Sequence, residues 1–206
     1  MTEKELSSQV DLSIHDAIVF ASRKHYKQYR KSTDMPYISH IMEVMQILIE
    51  NKCEKEVIIA GILHDTIEDT ETTREEIKQL FGEKILSIVQ SETEDKSLDW
   101  FERKSITIKN LPSASIEEKL VLCADKLSNI RFIYSDLKTI GEKVWERFNA
   151  PKNKIEWYYK NILRELSEIS ELDMYDNLSE LIDDVFNYAI MDKTPNYKES
   201  PVFYRG

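Results

Sequence analysis

The chain has 206 residues, of which 41% are hydrophobic and 32% charged, and its formal net charge is −10 at pH 7. This balance excludes a disordered chain, and the excess of acid argues against nucleic acid as the main partner. No apolar run reaches the roughly 18–20 residues of a membrane span, and the N-terminus lacks the basic start and apolar centre of a signal peptide.

Apolar spacing and turn residues predict helices throughout the chain. In chain order these helices cover residues 12–29, 37–51, 54–65, 72–82, 83–91, 100–110, 115–137 and about 177–191. An aromatic-rich segment at 144–163 precedes the last of them. In the second helix, four apolar residues follow helical spacing: Ile38, Met42, Met45 and Ile49.

No segment shows strand alternation bounded by hairpin signals, and only four glycines and five prolines interrupt the chain. The sequence therefore predicts an all-α fold, a compact single-domain array of about eight to ten helices. We assign residues 1–170 to the main domain, and residues 171–206 to a C-terminal helix and tail that pack on it or extend it. The absence of a glycine-rich phosphate loop argues against a Rossmann or P-loop protein.

Four ionisable side chains follow the apolar run of the third helix, in the stretch LHDTIEDT at residues 63–70. On a regular helix His64 and Glu68 share one face, and Asp65 and Asp69 share the neighbouring face. Carboxylates at the border of a core cost several kcal/mol unless they are paired. A divalent cation would remove that cost, whereas the alternative is an exposed helix end with an ordinary polar face.

Two further residues favour the metal site. His40 lies early in a largely apolar helix, and Asp125 follows the apolar run LVLCA, where an ionised carboxylate needs a cationic partner. The adjacent Lys126 points about 100° away on a helix and is an imperfect partner, whereas Asn129 shares the face of Asp125. Two nitrogens and two carboxylates suit Mn²⁺, Fe²⁺ or Zn²⁺ better than Mg²⁺ or Ca²⁺, and they come from His40, His64, Asp65 and Asp125.

A basic segment at residues 22–31 stands out in this acidic chain. It contains five cations and no acid: Arg23, Lys24, Lys27, Arg30 and Lys31. The segment is either a solvated helix face or a binding site for a small anionic ligand.

Three stretches, residues 17–44, 60–82 and 120–131, together resemble the HD superfamily of metal-dependent phosphohydrolases. The closer resemblance, over roughly residues 14–140, is to the hydrolase domain of the RelA/SpoT alarmone enzymes and to their small stand-alone relatives. It implies an HD-domain fold and Mn²⁺-dependent hydrolysis of the 3′-pyrophosphate of guanosine tetra- or pentaphosphate, (p)ppGpp, to GDP or GTP. These nucleotides are the alarmones of the stringent response.

The resemblance also implies a role for each matching residue. The Mn²⁺ ligands, with Fe²⁺ or Zn²⁺ as alternative ions, would be His40, His64, Asp65 and Asp125. Glu68 and Asp69 match the catalytic acid pair that handles the attacking water and the leaving oxygen. The substrate-binding residues would be Arg30, Lys31, Ser32 and Asn129.

Three positions depart from the family pattern: Thr33 replaces a glycine, Ile41 a proline and Ser128 a histidine. They leave the ligand set intact but leave base recognition open. One alternative is therefore a metal-dependent phosphatase of NADPH or another phosphorylated nucleotide. A non-catalytic alarmone-binding module is a third, less favoured alternative.

Partner and location follow from charge and cysteine content. The predicted partner is a small anionic nucleotide, without nucleic acid or membrane, and the oligomeric state stays open, a homo-oligomer included. Cys53 and Cys123 lie in separate apolar stretches and are expected to be reduced, which favours a cytoplasmic location.

Overall fold

The computed structural model describes residues 13–188, which form ten α-helices connected by loops and short 3₁₀ turns. The helices are α1 (Ile14–Lys24), α2 (Ile38–Glu50), α3 (Lys55–Leu63), α4 (Thr66–Asp69), α5 (Arg74–Phe81), α6 (Glu83–Ser91), α7 (Trp100–Asn110), α8 (Ile116–Ile140), α9 (Lys152–Glu165) and α10 (Asp173–Phe186). Within the described residues the only extended pairing is a single bridge between Tyr29 and Pro36. The predicted all-α fold is confirmed. No helix of residues 13–188 has the length and apolar character needed to cross a membrane.

Helix α3 is buried on every side. Residues 57–63, VIIAGIL, contain no polar side chain and are each at most 7% exposed, because α1, α2, α6 and α8 surround them. Gly61 permits the close approach of α2, since a Cβ atom there would lie 2.3 Å from Cδ1 of Leu48. The end of α3, which precedes His64, is therefore fixed in the core.

Helix α8 is the long element against which much of the molecule packs. Its N-terminus is held by a capping box between Ser115 and Glu118, and its 25 residues contact α2, α3, α6 and α10. Helix α10 begins at Asp173, four residues before its predicted start. Its predicted end at Met191 lies outside the described residues.

The prediction that the first helix continues to Tyr29 is wrong. Helix α1 ends at Lys24, and Lys27 adopts a left-handed backbone with φ of 62° that turns the chain away. Residues 25–36 then form a loop closed by a hydrogen bond of 2.9 Å from the Arg30 N–H to the Met35 carbonyl. The five cations of the basic segment are thus divided between a helix and this loop.

The four apolar residues whose spacing indicated α2 do not form the face that the core covers. Ile38, Met42 and Met45 are only partly buried, and Ile49 is 47% exposed. The fully buried residues of α2 lie on the adjoining face: His40, Ile41, Val44, Ile47 and Leu48. Both rows have helical spacing, and only the packing of α3 and α8 against α2 selects the second one.

Candidate metal centre

Three separate parts of the chain bring the four predicted metal ligands together. His40 lies in the first turn of α2, His64 and Asp65 follow α3, and Asp125 is in α8. The Nε2 atom of His40 is 3.6 Å from Asp65 Oδ2 and 3.2 Å from Asp125 Oδ1. The Nε2 atom of His64 is 2.9 Å and 3.6 Å from the same two oxygens. All four side chains therefore point at one position.

The placement of LHDTIEDT on one regular helix is wrong, and the break shapes the site. Helix α3 ends at Leu63, α4 begins at Thr66, and His64 and Asp65 form the turn between them. Two side chains bond to carbonyls at the end of α3: His64 Nδ1 to Gly61 O at 2.8 Å, and Thr66 Oγ1 to Leu63 O at 2.6 Å. Such side-chain bonds compete with the helical ladder. The turn lets His64 and Asp65 converge, although they are adjacent in sequence.

The donor set fits a divalent transition-metal ion. The Nδ1 atoms of His40 and His64 are hydrogen-bonded to Ser128 Oγ and Gly61 O, whereas both Nε2 atoms are buried without a hydrogen-bond partner. An imidazole protonated on Nδ1 presents a lone pair on Nε2, as a metal ligand must. The 2.9–3.6 Å separations given above also match the roughly 3.0–3.4 Å expected between ligands that share one ion at about 2.1 Å. The ligand atoms of His40, His64 and Asp65 all lie within 4.8 Å of one another.

Charged neighbours stabilise the carboxylates. Lys126 donates to Asp125 Oδ2 at 2.6 Å, so the expectation that it is an imperfect partner is wrong. Although burial opposes ionisation, the charge of Lys126 and the close approach of the two histidine rings hold the pKa of Asp125 well below its usual range. Burial also disfavours protonation of His64, yet the carboxylates raise its pKa well above its ordinary value. A metal ion would therefore compete with a proton for Nε2 of His64.

The acid pair lies one turn beyond the ligands and is held by the loop at residues 92–99. The backbone N–H of Glu94 donates to Glu68 Oε2 at 3.0 Å. Lys96 donates to Asp69 Oδ1 and to the Glu68 carbonyl, each at 2.8 Å. Burial raises the pKa of Glu68, which favours the protonated acid.

The same loop is anchored to α7. The Glu94 carboxylate accepts hydrogen bonds from Arg103 at 2.9 Å and from Lys104 at 2.7 Å. The sequence marks this loop only by its acidity, and it carries no signal that the loop would contact the acid pair. The tertiary structure thus adds Glu94 and Lys96 to the site.

A cavity of about 300 Å³ is lined by cations and aromatic rings, and it adjoins the predicted metal ligands through lining residues that bond to Asp65 and Asp125. Arg30 is buried, donates to Asn129 Oδ1 at 2.9 Å and stacks 4.1 Å above the Phe132 ring. Lys31, also at the cavity, donates to Asn149 Oδ1 at 2.8 Å. Ser32 is exposed in a left-handed turn with φ of 60° and does not line the cavity. A ligand that combines anionic groups with a planar ring suits this lining.

Several lining residues escaped the sequence reasoning. Tyr37 donates to Asp65 Oδ2 at 2.6 Å, and its position three residues before His40 is the one signal that could have indicated it. Lys104, Lys126, Arg147 and Tyr158 also line the cavity, although the sequence had indicated Lys126 only as an imperfect partner of Asp125. They come from α7, α8, the 3₁₀ turn after α8 and α9, so no local pattern joins them.

Glu92 directly follows α6 and interacts electrostatically with Asp65 and Asp125 of the predicted metal centre. Burial, together with the charges of Asp125 and Asp65, raises its pKa from 4.5 to about 8 against the opposing effect of Lys126 and His64. The folded protein therefore holds a proton on Glu92 that the unfolded chain releases above about pH 4.5. This linkage removes stability as the pH rises from about 4.5 to 8.

The Glu92→Gln variant is expected to lose this pH dependence. When a chelator is present, so that no bound cation alters the local charge, the free energy of unfolding of the variant should match that of the parent near pH 4.5. Its free energy of unfolding should exceed that of the parent by up to about 4 kcal/mol at pH 8, since the pKa rises from 4.5 to about 8 and one pKa unit corresponds to about 1.4 kcal/mol. Urea unfolding at several pH values measures this difference, with the exposed Glu146→Gln as the control. Parallel stability curves for Glu92→Gln and the parent would contradict the assignment.

The sequence and the fold of this chain are similar to those of known proteins. A model of the HD domain family matches residues 17–153. The guanosine-3′,5′-bis(diphosphate) 3′-pyrophosphohydrolase MESH1 of Drosophila melanogaster is 38% identical over 119 residues, 56% of this chain and 66% of that protein. Its Homo sapiens namesake is 37% identical over 145 residues, 69% of this chain and 78% of that protein. The solved structure of a metazoan ortholog of SpoT that hydrolyses ppGpp has a TM-score of 0.68 at 30% identity, over 85% of this chain and 94% of that one.

Proposed function

Because this chain belongs to the HD domain family, we propose that it is a metal-dependent phosphohydrolase that removes the 3′-pyrophosphate of (p)ppGpp. The products are pyrophosphate and GDP or GTP. The ion that best suits the donors is Mn²⁺, with Fe²⁺ and Zn²⁺ as alternatives. A cytoplasmic location and a small nucleotide as the partner belong to the same proposal.

One observation carries the proposal. Two buried imidazole nitrogens without hydrogen-bond partners and two carboxylates meet beside a cavity lined by cations and aromatic rings. The donors suit a metal ion, the cations suit phosphate groups and the rings suit a base. The relatives are named for guanosine-3′,5′-bis(diphosphate), a compound that combines phosphate groups with a planar base.

The proposed ligands are His40, His64, Asp65 and Asp125. When bound, the ion neutralises phosphate oxygens and lowers the pKa of water. Tyr37 and Lys126 hold the two carboxylates in place through the hydrogen bonds described above. These contacts orient the ligands before substrate arrives.

Hydrolysis adds water across the ester bond between the 3′-oxygen and the pyrophosphate. One proton must leave the attacking water, and one must reach the 3′-oxygen as that bond breaks. Glu68 and Asp69, one turn beyond the ligands, are proposed to carry these protons. Glu68 suits proton donation because burial raises its pKa, and the loop bonds from Glu94 and Lys96 fix both carboxyl groups.

Substrate binding is assigned to the cavity. Arg30 and Lys31 would contact phosphate oxygens, and Asn129 joins Arg30 to Asp125, with a hydrogen bond of 2.5 Å to Asp125 Oδ1. Ser32 does not line the cavity, so its proposed part in substrate binding is limited to the backbone conformation of the loop. The left-handed turn at Ser32 directs the loop that presents Arg30.

The test is incubation of purified protein with ppGpp and Mn²⁺, with and without a chelator. We expect GDP and pyrophosphate in equimolar amounts, and no turnover in excess chelator. A parallel assay with NADPH distinguishes the alternative substrate class. Release of phosphate from NADPH without hydrolysis of ppGpp would overturn the substrate assignment but retain the metal centre.

A further inference from the structure

A series of side-chain hydrogen bonds runs from His40 away from the predicted metal position. His40 Nδ1 and Ser128 Oγ are 2.8 Å apart in a fully buried contact. Ser128 Oγ in turn lies 2.8 Å from Glu43 Oε2, and Arg131 reaches the other carboxylate oxygen of Glu43 at 3.4 Å. The chain links α2 and α8 through residues that the proposed mechanism leaves unused.

The donors and acceptors of this chain have one consistent direction. Glu43, when ionised, can only accept, so the Ser128 hydroxyl donates to it. The Ser128 oxygen then accepts the Nδ1–H of His40, which leaves the lone pair of His40 on the buried, unpartnered Nε2 atom. Glu43 thus selects the ring tautomer of His40 through an intervening hydroxyl.

The two histidines differ in how they are oriented. His64 is held by the Gly61 carbonyl, a backbone group that is the same whatever the side chains around it. The Nδ1 atom of His40 bonds instead to a side chain, Ser128 Oγ, which in turn bonds to Glu43. A substitution at Ser128 or Glu43 can therefore change the basicity of His40, whereas the partner of His64 is a backbone carbonyl.

We propose that Ser128 and Glu43 are positioning residues that fix the tautomer of His40 and strengthen it as a metal ligand. The inference rests on the proposed metal centre and extends it. A carboxylate that accepts from the distal nitrogen of a ligating histidine raises the basicity of that ligand. Here the buried hydroxyl of Ser128, fully shielded from solvent, relays the charge of Glu43 to the ring.

The experiment is calorimetric titration of metal-free protein with Mn²⁺, together with the visible spectrum of the Co²⁺ form. Ser128→Ala removes the acceptor of His40 and should weaken metal binding about 10- to 100-fold, as outer-shell changes typically do. Glu43→Gln keeps an acceptor for the hydroxyl but removes the charge, so a loss smaller than that of Ser128→Ala is expected. Both variants should shift the Co²⁺ ligand-field bands, which a loss of packing elsewhere would not do.

Cys123→Ala is the matched control, because Cys123 is equally buried on α8 but is neither a proposed ligand nor part of the hydrogen-bond series from His40 to Glu43. Thermal unfolding of the metal-free proteins checks that each variant folds. Glu43 is partly exposed, so its variant tests the inference even if Ser128→Ala is unstable. Unchanged affinity and spectrum in Glu43→Gln and in a folded Ser128→Ala would overturn the relay. Absence of metal binding by the parent protein would instead overturn the centre itself.

Discussion

The Asp125→Ala variant is expected to lose both the bound metal and the hydrolysis of ppGpp. Asp125 contributes a buried carboxylate whose Oδ1 lies 3.2 Å and 3.6 Å from the two unpartnered imidazole nitrogens. Its removal also leaves Lys126 and Asn129 without their shared acceptor. Loss of the Lewis acid removes several kcal/mol of transition-state stabilisation, which corresponds to a decrease of roughly 1,000-fold or more in kcat/KM.

Metal content after gel filtration and the rate of pyrophosphate release measure this effect. Glu117→Ala is the matched control, since it removes an acid from the first turn of the same helix on the surface. The control should retain metal and activity. An Asp125→Ala protein that is folded and still retains metal would contradict the ligand assignment.

The Glu68→Gln variant is expected to keep the metal and lose catalysis. Glutamine has the same shape and can still accept the Glu94 N–H, but it can neither give nor take a proton. General acid–base catalysis typically contributes 100- to 10,000-fold, so kcat should fall by about that factor while metal affinity stays unchanged. Steady-state kinetics with ppGpp, together with the Mn²⁺ titration, separate these two quantities.

Glu71→Gln serves as the control because Glu71 is an exposed acid three residues further along. It should retain the parent kcat. Full activity in Glu68→Gln would show that this carboxyl group carries no proton in the rate-limiting step. Loss of metal in Glu68→Gln would instead assign Glu68 to the metal centre.

The predictions that succeeded depend on local information. Few glycines and prolines and sustained helical spacing indicated an all-α fold, and the structure confirms it within residues 13–188. The predicted lengths erred where a single residue redirects the chain, as Lys27 does after α1. Spacing also did not identify the buried face of α2, because two rows of apolar residues have the same spacing and only neighbouring helices choose between them.

The sequence by itself determined which side chains could form the centre. Histidines and aspartates beside apolar runs are chemically unusual, and that contrast is visible without coordinates in His40, His64, Asp65 and Asp125. The sequence also determined the basic segment that supplies Arg30. These features depend on residue type and on neighbours within one or two turns, so local patterns suffice to find them.

Only the tertiary structure decided how these residues act together. It ends α3 just before His64, and it brings Lys96 into a hydrogen bond with Asp69, from which it is 27 residues distant in the sequence. It also joined His40 to Ser128 across 88 residues. Such contacts depend on how α2, α6 and α8 pack against the buried α3, and no periodicity within a segment encodes the relative position of two segments. The chemistry of the donors is therefore local, whereas their geometry is a property of the packed core.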